Sequence, residues 1–91
     1  METLAAWLNI DGNSVSSGLC EAAEKLDGAG GEIVLDFGSV RRVDSSALRA
    51  IEGLARTADE KSVKIVIRDI NVEVYKVLKL VRLASRFSFV N

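Results

Sequence analysis

Asp44-Ser45-Ser46-Ala47-Leu48 is the stretch of this chain best equipped to do chemistry. It stands directly before an amphipathic apolar pattern, where a helix is predicted to start. Two readings fit these residues. Asp and Ser are ordinary helix N-caps, because their side-chain oxygens accept hydrogen bonds from the first backbone N–H groups. A serine hydroxyl at such a start is also exposed and modifiable. Phosphorylation there would add about −1.5 to −2 charges at neutral pH. The unpaired N–H groups and the helix dipole would favour that charge. Asp44 would oppose it, and Arg41 and Arg42 are close enough in sequence to compensate.

Other chemistry is poorly supplied. The chain has no histidine, which removes the commonest general base and metal ligand. A zinc site would have to rest on one cysteine and carboxylates, so no metal and no cofactor is expected. Asp36-Phe37-Gly38 spells the metal-binding tripeptide of protein kinases, but 91 residues cannot hold that fold. Gly28-Ala29-Gly30-Gly31 precedes a strand and follows a helix, the reverse of a phosphate-cradling loop. Cys20 has no activating base beside it and reads as a partly buried, inert thiol.

Twelve basic and thirteen acidic residues leave a net charge of −1. The basic residues are scattered, which is not the footprint of a nucleic-acid binder. One cysteine suits a reducing compartment. Neither a signal-peptide pattern nor an apolar run of membrane-spanning length is present. The expectation is a cytoplasmic protein without membrane insertion, forming a single domain over 1–91.

The elements that must position the serines follow from the apolar periods. Leu4 to Ile10 predicts a first strand, with Trp7 in the core or at an interface, the core reading being favoured. Asp11-Gly12-Asn13-Ser14 predicts a turn. Ser16 or Ser17 would cap a helix burying Leu19, Ala22, Ala23 and Leu26 and ending near Asp27. Ile33 to Phe37 predicts a central strand. Ala47, Leu48, Ile51, Leu54, Ala55 and Ala58 make the stripe of a second helix from Ser45. Val63 to Ile67 predicts another strand. Val72 to Ala84 predicts a third helix burying Val74, Val77, Leu78 and Val81. Lys76, Lys79, Arg82 and Arg86 share its other face, a solvated surface or a contact for something acidic. Phe87 to Val90 predicts an edge strand. This β-α-β-α-β-α-β order implies an α/β fold with a mostly parallel sheet of about four strands. Function in such sheets gathers in the loops after the carboxyl ends of strands, and the loop from Gly38 to Ser46 is one of these.

The run from Ile33 to Leu48, with a strand ending in Asp36, a short connection, then Asp44-Ser45-Ser46 and a small residue opening a helix, resembles the STAS signature. The likeness extends from about Trp7 to Val90 through the later helix, strand, Lys79-Leu80-Val81-Arg82-Leu83 and Phe87. It implies a STAS-type fold and a non-catalytic role like that of the anti-sigma factor antagonists. There, the serine after the aspartate is phosphorylated by the anti-sigma factor, itself a serine kinase, and a serine phosphatase reverses it. The matching residue is Ser45. The resemblance places Asp44 and Ser46 on the docking surface, Asp36 near the same edge, and Arg41 and Arg42 beside it.

Two departures stand out. Ala47 occupies a position where many antagonists carry glycine. Only one strand fits before Asp11, where many relatives begin with a hairpin, which leaves an exposed sheet edge or a homodimer contact. A second family role is therefore implied as an alternative, a STAS subunit bracing the ATPase of an ABC-type lipid transport system.

Overall fold

The computed structural model describes residues 6–26 and 31–90. Strand β1 (Ala6–Asn9) leads to helix α1 (Val15–Lys25), β2 (Glu32–Asp36), α2 (Ser45–Lys61), β3 (Lys64–Arg68) and α3 (Val72–Leu80). A short 3-10 turn (Ala84–Arg86) precedes β4 (Ser88–Val90). The sheet order is β1-β2-β3-β4 and every pairing is parallel.

The two faces of the sheet differ. One set of alternate side chains includes Ile33, Leu35, Ile65 and Ile67, which join Leu19, Ala22, Ile51, Leu54, Ala55, Ala58, Val74 and Leu78 in the core. Leu8 and Phe89 pack against the same core. Tyr75 of α3 meets Phe89 edge-on, ring centroids 5.0 Å apart. All three helices therefore lie on this face. The monotonic strand order requires this, since right-handed crossovers that step in one direction place every helix on one side.

Helix α2 follows from its sequence most directly. Its five fully buried residues, Ala47, Ile51, Leu54, Ala55 and Ala58, repeat at helical spacing. Asp44 caps its start, and Ser62 ends it in a left-handed conformation with its N–H bonded to the Ala58 and Asp59 carbonyls. Helix α1 starts earlier than predicted, with Ser14 rather than Ser16 or Ser17 at its N-cap. Asp11 shapes that entry, its side chain accepting the Asn13 N–H at 2.8 Å and its carbonyl the Ser14 N–H at 3.0 Å. The predicted stop at Asp27 and the glycines after it lie outside the described residues, as does the predicted strand start at Leu4.

Five expectations are corrected. Trp7 is 53% exposed, which overturns the favoured core reading and leaves the interface one, because it belongs to the sheet face opposite the helices. Cys20 is exposed, because it sits on the outer side of α1 between the buried Leu19 and Ala22 positions. Helix α3 stops at Leu80 instead of Ala84. Arg82 takes a left-handed φ of 63°, and the Arg82 and Leu83 N–H groups bond back to Lys79 and Leu78. That early stop leaves Val81 45% exposed instead of buried and removes Arg82 and Arg86 from the predicted helical face. Arg86 pairs instead with Asp59 of α2.

Candidate functional site

The carboxyl ends of the strands carry the β1–α1 and β2–α2 loops, and these two loops build the site. Gly12 makes the join. A side chain there would collide with the Ser39 carbonyl, so the two loops touch through backbone alone. The β2–α2 loop is itself held at both ends by aspartates. Asp36, half-buried at the end of β2, accepts the Gly38 N–H at 2.8 Å. Phe37 and Val40 bury their side chains beneath the loop, and the Val40 N–H bonds the Phe37 carbonyl at 2.9 Å. The tight turn at Gly38-Ser39 is thus pinned from below and lifts Arg41 and Arg42 into solvent.

At the far end, Asp44 is extended, with φ −100° and ψ −175°. Its Oδ1 accepts the Ala47 N–H at 2.8 Å and its carbonyl the Leu48 N–H at 2.9 Å. The cap holds the first turn of α2 in place. Ala47 is buried against the core, while Asp44, Ser45 and Ser46 are all exposed. Ser45 is the first helical residue. It is exposed to solvent, and its position is fixed by the cap.

Asp44, Arg42 and Ala47 line one side of an open depression of about 380 Å³. Gly12, Asn13, Ser14, Val15, Ser16 and Ser17 line the other. Arg41 and Arg42 also border a neighbouring hollow with Asp11 and Ser39. The fold therefore brings Arg41, Arg42 and Asp44 into one surface with the start of α1. Asp36 stands at the root of that loop and Ser45 and Ser46 at its exit. The contribution of the β1–α1 loop escapes sequence reading, which assigns Asp11 to Ser14 only a turn. Gly12 is the signal for it, but its meaning depends on a neighbour 27 positions away.

Among the described residues no group of three or more His, Cys, Asp and Glu is arranged to hold a metal ion. No described helix is long and apolar enough to cross a membrane. The site offers an exposed hydroxyl, a capped helix start and two exposed arginines on an open surface.

No curated protein sequence matches the chain. Solved structures share its fold. The solution structure of the protein TM1081 matches with a TM-score of 0.74 at 17% identity, covering 93% of this chain and 72% of that one. A crystal structure of TM1081 from Thermotoga maritima, provisionally assigned as an anti-sigma factor antagonist, matches with a TM-score of 0.68 at 21% identity, covering 100% and 75%. At these identities the likeness is one of fold. The family model of the STAS domain matches residues 8–91, from inside β1 through β4. The parallel sheet, the capped start of α2 and the Asp44-Ser45-Ser46 turn thus stand inside a matched family frame, and the chain belongs to the STAS domain family.

Proposed function

We propose that this protein is a non-catalytic regulatory interaction module of the anti-sigma factor antagonist type, switched by phosphorylation of Ser45. The observation that carries this reading is the exposure of Ser45 as the first residue of α2, behind an Asp44 cap that holds it in place. A phosphate there adds charge to the docking surface without disturbing the buried side of the helix. Asp44 repels it, and the Arg41–Arg42 pair at the same loop offers the opposing charge. The unmodified surface binds a kinase-like anti-sigma factor. The phosphorylated surface releases it, and a serine phosphatase restores the first state. Asp44, Ser46, Arg41 and Arg42 contribute to the bound surface, and Asp36 holds the loop that presents them.

Affinity capture from the native cytoplasm, with wild type and Ser45→Asp as baits and intact mass on the native protein, tests this. The expected result is a kinase-like partner bound by wild type and lost by Ser45→Asp, with a phosphate mass on part of the native pool. A transporter ATPase held equally by both baits, with no phosphate, would replace the switch by a structural role in an ABC-type lipid transport system.

A further inference from the structure

We infer that the sheet face opposite the helices is a self-association surface that seats a second copy of this chain, with the two sheets stacked about a two-fold axis parallel to the strands. Three rows of side chains make up this face. Trp7, Val34, Val66 and Ser88 are consecutive register partners across all four strands. Asn9, Asp36, Arg68 and Val90 form the next row, and Glu32 and Lys64 the row on the other side. Val66 is 8% exposed yet stands outside the main core cluster, and Trp7 and Val90 are largely exposed. The Arg68 guanidinium lies 5.4 Å from the Trp7 ring centroid, so these side chains reach toward each other across β2. A Trp, an Arg and the valines Val34 and Val90 on a sheet face that no described helix covers have the composition of an interface centre.

The charges choose the occupant and its orientation. On this face the charges of β2 are both acidic, Glu32 and Asp36, and those of β3 both basic, Lys64 and Arg68. A two-fold axis along the strands between β2 and β3 lays each copy's β2 over the other's β3. Glu32 of one copy then meets Lys64 of the other, Asp36 meets Arg68, and Val34 meets Val66. The same operation brings Trp7 over Ser88, a bulky side chain onto a small one. Each contact occurs twice, as an isologous dimer requires. Turning the axis across the strands instead places Glu32 over Asp36 and Lys64 over Arg68, which is repulsive throughout. Aligned stacking of two sheets is an ordinary packing mode.

Size limits the strength. Four strands spaced by about 4.8 Å and five residues rising about 3.3 Å each give a face of roughly 300 Å². A standard stable interface needs about 800 Å² per partner. The dimer is therefore weak, dependent on concentration and sensitive to salt. It leaves Ser45 uncovered, because the loops project from the ends of the strands rather than from this face.

Sedimentation equilibrium of the full chain across a concentration series tests the inference, with circular dichroism confirming that each variant is folded. Wild type is expected to self-associate reversibly at low salt and to dissociate as salt rises. Glu32→Lys and Lys64→Glu should each weaken the dimer by about tenfold or more, the scale of losing close interfacial charge pairs. An equimolar mixture of those two variants should associate again, because each 32–64 contact then pairs opposite charges. Trp7→Ser should weaken the dimer without changing its salt dependence. Wild type that stays monomeric at the highest concentration, or Glu32→Lys that associates more tightly, overturns the inference. So does a monomeric wild type whose capture of a different protein is lost in Trp7→Ser, which would assign the face to that protein. Retention of kinase-partner binding by these variants separates this surface from the Ser45 site.

Discussion

The backbone of Gly12 rests directly on the carbonyl of Ser39, so close that a Cβ at Gly12 would run into the oxygen and stand 3.0 Å from the carbonyl carbon. Two loops that follow different strands are locked together without any side chain between them. Gly12→Ala must push the β1–α1 loop away from the β2–α2 loop, and overpacking of this kind costs about 1–3 kcal/mol. Urea denaturation should show that loss. Partner binding should weaken as well, because the displaced loop carries one wall of the surface shared with Arg42 and Asp44.

Asp44 has two separable duties. As a cap it accepts the Ala47 N–H, and Asp44→Ala should cost about 1 kcal/mol of stability. Asp44→Ser keeps an oxygen at the cap and should recover most of that stability in the same denaturation experiment. It removes the negative charge beside Ser45, so a phosphate placed at Ser45 should be better tolerated. Comparing binding by the two variants measures how much of the aspartate's role is charge.

Gly53 lies inside α2, and a Cβ there meets nothing within 4 Å. Flexibility costs a helix interior without an evident return here. Gly53→Ala should stabilise the protein by about 0.5–1 kcal/mol. A rise in melting temperature with unchanged partner binding is the expected outcome, since the position is far along the helix from Ser45.

The ion pair between Arg86 and Asp59 ties the turn before β4 to helix α2. Both side chains are well exposed to solvent. Asp59→Asn should therefore cost no more than about 1 kcal/mol, checked by urea denaturation at low and high salt, with the difference from wild type shrinking as salt rises.

How much of this was legible beforehand depends on whether the deciding contacts were local. Helix α2 carries its own instructions in a buried stripe and an aspartate cap, and its predicted start at Ser45 is where it begins. The alternating element order was enough for the parallel sheet. Trp7 was misplaced because its face depends on which strands bear helices and on which side, a property of the assembled sheet. Helix α3 ended early because Arg82 adopts a left-handed conformation that no local residue type demands. The Asp44-Ser45-Ser46 turn was visible as residues, but its surroundings were not. Arg42 and the start of α1 meet there only because Gly12 lets two distant loops close on each other.

The strand order β1-β2-β3-β4 matches the order of synthesis. Each strand finds its sheet neighbour already made, and no early strand has to stay open for one that emerges later. A growing chain can lay this fold down one βα unit at a time, with short-range closures at each step. Ser45 emerges together with the helix that closes the β2–β3 crossover, so the Asp44-Ser45-Ser46 turn is assembled before β3 and β4 are added.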